Sequence, residues 1–194
     1  MGPLGILSDT HNANGSIVEA LEMFRKSGVE QIVHCGDVTS PEAVRHFRGY
    51  KVTFVFGNND LIFKDNEKSL REAVTELGNE CSIGHQPVSL EWNKKKICLI
   101  HGHDGGFKLA RKAFDSGDWD YVIFGHSHIV HCPPPVEGVR TTLLNPGSVQ
   151  DSSYYILFED GELVRYLYDE ECDTPYEGKE PFDFCKNMNP SLFN

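Results

Sequence analysis

Short, almost wholly apolar runs alternate with amphipathic stretches along the first two thirds of the chain. Leu4–Leu7, Gln31–His34, Lys51–Phe56, Ile97–Ile100 and Tyr121–Phe124 are brief and rich in β-branched and aromatic residues, the pattern of strands buried on both faces. Between the first two, Ile17, Val18, Leu21 and Phe24 form one apolar stripe that stops at Lys26-Ser27-Gly28, which predicts a helix with a glycine end. Further helices are predicted near Pro41–Phe47, Ser69–Leu77 and Lys108–Ser116. Asn93–Lys96 reads as a solvated hairpin turn between Val88–Trp92 and Ile97–Ile100. After residue 136 only strands are expected: Val139–Leu144, Tyr154–Phe158 and Leu163–Tyr168, with Glu159-Asp160-Gly161-Glu162 as a second hairpin turn. Alternating strands and helices followed by hairpins imply an α/β protein with parallel central strands and antiparallel additions.

Composition narrows the picture. A chain of 194 residues, 39% hydrophobic and 24% charged, suits one soluble domain. Its net charge of −11 argues against a protein that coats nucleic acid or an anionic membrane, so any phosphate must be attracted locally. The acidic excess is uneven, and the chain divides into a body, residues 1–168, and an acidic, proline-containing extension, residues 169–194. In that extension Phe182, Phe184 and Phe193 are the groups available to pin it to the body, and disorder is the alternative. No apolar run reaches the ~18 residues of a membrane span, and the first strand begins too near Met1 for a signal peptide, so a cytoplasmic protein is expected. Six cysteines without C-x-x-C spacing read as reduced core residues, with Cys172–Cys185 the one candidate disulfide.

The chemistry lies in five polar clusters, one after each predicted strand of the body: Ser8-Asp9-Thr10-His11, Gly36-Asp37, Gly57-Asn58-Asn59-Asp60, His101-Gly102-His103 and Gly125-His126-Ser127-His128. The carboxyl ends of parallel strands lie along one edge of a sheet, so these distant groups are expected to converge on one crevice. Imidazole and carboxylate together are the donors of a transition-metal site. Asp-x-His and His-x-His put alternate side chains on the same side of extended backbone, and glycines before Asp37, Asn58 and His126 permit sharp turns and close approach. By contrast, His34 and His46 read as structural residues. Asn12 and Asn14 read as helix-start residues, although a helix N-terminus beside the crevice could help to hold an anion.

Taken in order, Asp9-x-His11, Gly36-Asp37, Gly57-Asn58-x-Asp60, His101-Gly102-His103 and Gly125-His126-x-His128 resemble the calcineurin-like metallophosphoesterase superfamily. The opening Leu7-Ser-Asp-Thr-His11 and the later Asn145-Pro-Gly-Ser148 are most similar to its compact bacterial and archaeal phosphodiesterases. The resemblance covers residues 4–168. It implies two facing mixed β-sheets flanked by helices, a four-layer α/β/β/α sandwich, with a two-metal site at one edge. By the same resemblance Asp9, His11 and His128 hold one divalent ion, Asn58, His101 and His126 the other, and Asp37 bridges them. The ions would be manganese, zinc, iron or nickel. The implied reaction is attack on phosphorus by a metal-bridging hydroxide, with no covalent protein nucleophile. Asn145–Ser148 would then lie at the edge of the site.

Many members of that superfamily carry histidine after the metal-binding asparagine, where this chain has Asn59. An amide can donate a hydrogen bond but cannot act as a general acid near neutral pH. Asn59 and His103 are therefore the candidate catalytic residues beside the metals, with His103 read either as a phosphate contact, the reading favoured, or as a support for the backbone after His101. Good leaving groups are expected to be needed unless His103 or water supplies the proton. The expected substrate is a small phosphodiester, because no cation is dedicated to a dianion and no groove suits long nucleic acid. Oligomeric state is left open. The competing reading is a protein-binding scaffold of the same fold, as in the retromer subunit of this superfamily, and it is opposed by the filling of every ligand position with a competent donor.

Overall fold

The computed structural model describes residues 2–105, 107–133, 138–167 and 176–178, the last for the backbone alone. Seven strands form one sheet in the order β11-β10-β9-β1-β2-β3-β4: Leu4–Leu7 (β1), Gln31–His34 (β2), Lys51–Val55 (β3), Ser82–Gly84 (β4), Ser153–Leu157 (β9), Leu163–Leu167 (β10) and Tyr176–Gly178 (β11). Four form a second: Val88–Trp92 (β5), Lys95–Ile100 (β6), Tyr121–Phe124 (β7) and Thr142–Leu144 (β8). Each sheet is mixed. β1 to β4 run parallel, as do β6 to β8, whereas β9 to β11 and β5 add antiparallel.

Alternation within each strand explains the layers. Leu4, Ile6, Val33 and Val55 leave one face of the first sheet and pack with Trp92, Ile97, Leu99 and Ile123 of the second. From the first sheet's other face, Leu7, Ile32, Val52 and Phe54 pack under three helices, Asn14–Lys26 (α1), Pro41–Arg45 (α2) and Asn66–Leu77 (α3). Cys98, Ile100, Val122 and Phe124 on the outer face of the second sheet meet Ala110 of α4, Lys108–Ser116. The order is helix, sheet, sheet, helix, and strands apolar on both faces are what such burial demands.

Several details depart from the sequence reading. The ligand-bearing strands divide between two sheets, three in the first and two in the second, as the resemblance implied, rather than lining the edge of a single parallel sheet. β8 is parallel to β7 and not part of a hairpin, and it begins three residues later than expected. In α1 the buried stripe is Ile17, Ala20, Leu21 and Phe24, while Val18 is 49% exposed. Asn93 and Lys94, both with positive φ, make the whole turn between β5 and β6, so Lys95 and Lys96 belong to β6. β4 has no alternation of its own and β11 lies in the acidic extension; neither was expected. Cys35 and Cys98 are buried and Cys81 half-buried, but Cys132 is exposed. Cys172, Cys185, Phe182, Phe184 and Phe193 lie outside the described residues.

Candidate metal centre

The loops after β1, β2, β3, β6 and β7 meet at the rim where both sheets present the carboxyl ends of their strands. Asp9 lies at the centre and is wholly buried. Its Oδ2 accepts hydrogen bonds from the Ser8 hydroxyl and, at 3.0 Å, from the backbone N–H of His126. Its Oδ1 accepts none, yet His128 Nε2 is 3.3 Å away and His11 Nε2 3.8 Å. Asp37 is the second buried carboxylate. Asn59 donates to its Oδ1 from the backbone (2.8 Å) and to Oδ2 from the side-chain amide (2.7 Å). The same Oδ2 lies 3.4 Å from His101 Nε2 and 3.7 Å from His11 Nε2, between the two imidazoles.

His101 is oriented from behind. Its Nδ1 donates to the Cys35 carbonyl at 2.7 Å, which directs Nε2 towards Asp37 and towards Asn58 Oδ1 at 3.1 Å. His11 and His128 Nε2 face each other at 3.0 Å. Asp9–His11–His128 and Asp9–Asp37–His101 thus form two donor groups, each with its ligand atoms within 4.8 Å of one another. His126 lies beside them, its ring centroid 5.1 Å from that of His101, outside either group. His103 lies further out, 5.4 Å from His101 and 6.4 Å from His126 between ring centroids, and its buried Nδ1 has no hydrogen-bond partner. The Asn59 amide is committed to Asp37, so here it positions that carboxylate.

Electrostatics follow from this crowding. Burial pushes the Asp9 carboxyl up, and His101, the Ser8 hydrogen bond and His128 only partly offset it. Burial would raise Asp37 too, but hydrogen bonding and charge from His101 and the two bonds from Asn59 hold it well below the usual carboxylate range. Burial disfavours the charged form of His101, yet the bond to Asp37 and the charges of Asp37 and Asp9 leave its pKa raised. His103 and His126 are pushed down by burial and then by the neighbouring imidazoles. An unpartnered buried carboxylate oxygen, a second carboxylate and imidazoles all aimed at one space are a donor set that suits transition-metal cations.

The loops that carry these groups are unusual in backbone as well. Asp9, His11, Asp37, His126 and His128 all have positive φ, between 42° and 69°. L-residues seldom adopt this region, although Asp, Asn and His tolerate it best. Glycine is required for a different reason than sharp turning alone. A Cβ on Gly57 would collide with Asp37 Oδ1, and one on Gly36 would stand 2.5 Å from His101 Nδ1.

Other residues brace the cluster. Asp60, fully buried, accepts backbone N–H bonds from Asp37 (2.9 Å), Gly57 (2.8 Å) and Thr39 (2.7 Å), tying the β2 and β3 loops together; burial raises its carboxyl to about 6. Gln86 Oε1 accepts from the N–H groups of His101 and Gly102, both at 2.9 Å. Ser148 donates to the Asp9 carbonyl and Asn145 to the Gly125 carbonyl, so Asn145–Ser148 buttresses two ligand loops from behind. Asp60 stood inside a motif legible in sequence, whereas nothing local marks Gln86. His34 is a structural residue: Nδ1 accepts from Gly36 N–H and the other nitrogen meets the Thr10 hydroxyl. A cavity of about 560 Å³ lies at the opposite ends of β2 and β3, lined by Glu30, Lys51 and Cys81 among others, remote from this chemistry.

Comparison with known proteins places this geometry. A family model described as the calcineurin-like phosphoesterase superfamily domain matches residues 3–159. Phosphodiesterase MJ0936 of Methanocaldococcus jannaschii is 33% identical over 127 residues, covering 64% of this chain and 72% of that protein. Probable metallophosphoesterase MJ0623 of the same organism is 30% identical over 153 residues, covering 75% and 67%. A solved structure described as a novel archaeal phosphodiesterase superposes with a TM-score of 0.75 at 28% identity, covering 86% of this chain and 99% of the other.

Proposed function

Because the chain belongs to the calcineurin-like phosphoesterase superfamily, we propose that it is a metal-dependent phosphodiesterase that cleaves small phosphodiesters at the cluster around Asp9 and Asp37. The observation that carries this reading is the meeting of two donor groups at two buried carboxylates, with an Asp9 oxygen aimed into the site without a hydrogen bond and Asp37 Oδ2 lying between His11 (3.7 Å) and His101 (3.4 Å). In this reading Asp9, His11 and His128 hold one divalent ion, Asn58, His101 and His126 a second, and Asp37 serves both. Manganese, zinc, iron and nickel all suit these donors. When bound, such ions supply a nucleophile at neutral pH and offset charge on the phosphoryl oxygens.

The chain's own residues do the remainder. Asn59 holds Asp37 ionised and in place, and the Cys35 carbonyl fixes the ring of His101. His103, with an unpartnered Nδ1 and a pKa lowered by burial and neighbouring imidazoles, stands next to the cluster as the residue to contact phosphate or return a proton to the leaving group. The catalytic unit is residues 1–168, since every ligand in this reading falls between residues 9 and 128. Among the described residues no helix is long and apolar enough to cross a membrane.

The test is metal analysis of the purified protein coupled to hydrolysis of bis(4-nitrophenyl) phosphate and 4-nitrophenyl phosphate, before and after chelation. Diester hydrolysis should exceed monoester hydrolysis, vanish with the metal and return on adding manganese. A metal-loaded protein inert towards both esters would favour the binding scaffold.

A further inference from the structure

Three large apolar side chains are left in solvent at the two ends of the donor cluster. Ile62 and Phe63, 62% and 74% exposed, follow the turn Asn59–Leu61 at the Asp37–His101 end. Ile129, 52% exposed, follows His128 at the Asp9–His11 end. Neither lip is a loose excursion. The turn holding Phe63 is clipped to the site wall, because Asn66 N–H donates to the Phe63 carbonyl (3.0 Å) while the Asn66 amide donates to the carbonyls of Asp60 (2.9 Å) and Thr39 (3.3 Å). At the other end Ile129 N–H donates to Ser127 Oγ (3.2 Å), itself held by the Asn145 amide (3.0 Å). The 3-10 turn Asn59–Leu61 joins this lip to the site, since Asn59, at its start, donates to both oxygens of Asp37.

Charge points the same way. The loops that build the site, residues 8–16, 35–40, 56–63, 101–105, 125–133 and 145–153, contain no lysine or arginine, but they do contain Asp60, Asp104 and Asp151 besides the ligands. A substrate carrying a second phosphate away from the reacting one would find counter-charge only from Lys64, exposed just beyond Phe63 at the outer edge of one lip. Exposed apolar surface beside a polar centre instead suits an uncharged substituent.

We propose that Ile62, Phe63 and Ile129 are substrate-selecting residues, and that the enzyme prefers diesters whose two ester groups are uncharged and aromatic or apolar, one seated on each lip. The proposal rests on the phosphodiesterase reading above. A diester carries two ester groups splayed apart on a tetrahedral phosphorus, so one can turn towards each lip.

The experiment compares two diesters with the same leaving group: bis(4-nitrophenyl) phosphate and methyl 4-nitrophenyl phosphate, assayed with manganese-loaded protein. The aryl diester should be the better substrate in kcat/KM. Phe63→Ala and Ile129→Ser should each lower kcat/KM for the aryl diester roughly five- to tenfold, mainly through KM, and both should keep the parent's metal content. The methyl diester has one aryl group and needs one lip, so one of the two variants should slow it alike and the other should leave it within about twofold of the parent. Equal rates on the two diesters in the parent, or equal losses on both diesters in both variants, would overturn the selection by these lips while leaving the activity standing. A parent inert towards both diesters would overturn the phosphodiesterase reading itself.

Discussion

At the scale of single residues, the site combines donors that must be deprotonated with backbone that costs energy to hold. Five ligand candidates, all Asp or His, hold positive φ, which these residue types tolerate better than most; Asp37 is held there by Asp60 and Asn59, and Asp9 and His126 are tied to each other. Asp37→Asn should lower activity by several orders of magnitude and deplete both metals, whereas His103→Ala should slow turnover with metal content nearly intact. Equal metal loss in both variants, measured by elemental analysis, would contradict these roles. Gly57→Ala should behave like a ligand mutation although glycine binds nothing, because its Cβ would displace Asp37; metal content is again the readout. His34 sets a pH dependence. Burial depresses it to about 3, so the folded state keeps it neutral while the unfolded chain takes up a proton below about 6.5. Stability of the metal-free protein should therefore fall as pH drops below 6.5, by up to ~1.4 kcal/mol per unit from this group. Urea unfolding of the parent and His34→Gln at pH 7.5 and 5.0 isolates that contribution, and identical slopes would refute it.

At the scale of elements, the strands that carry ligands were legible because burial on both faces leaves short apolar runs, each ending at a polar cluster. Leu4–Leu7, Gln31–His34 and Tyr121–Phe124 stand where the pattern put them. β4 was not legible, since Ser82-Ile83-Gly84 is an edge strand held by backbone pairing to β3 rather than by its own periodicity. Which sheet each strand joins was equally hidden, because a continuous apolar run says that both faces are covered but not by what. The donor residues could be read from their types and spacing, but the bonds that aim them could not: Gln86 reaches His101 from the far side of the β5–β6 hairpin in sequence, and Asp60 gathers N–H groups from two loops. Asp60→Ala would strand three buried backbone donors and should destabilise the protein by at least about 3 kcal/mol, measured by denaturant unfolding. A loss below about 1 kcal/mol would mean that other contacts join those loops.

At the scale of the whole molecule, a chain of net charge −11 can handle an anionic substrate only if positive charge is concentrated where the reaction occurs. With the site loops free of lysine and arginine, bound cations are the available source. Every proposed ligand lies between residues 9 and 128, so removal of residues 172–194, including β11, should leave metal content and kcat within about twofold; inactivation with an intact fold would assign the extension a part in the site. The central claim is that two cations share one carboxylate, and equilibrium dialysis of metal-stripped protein against manganese tests it most directly. The account predicts two ions per chain in the parent and weakened binding of both in Asp37→Asn. A parent that binds a single ion, or a variant that loses one and holds the other unchanged, would contradict it.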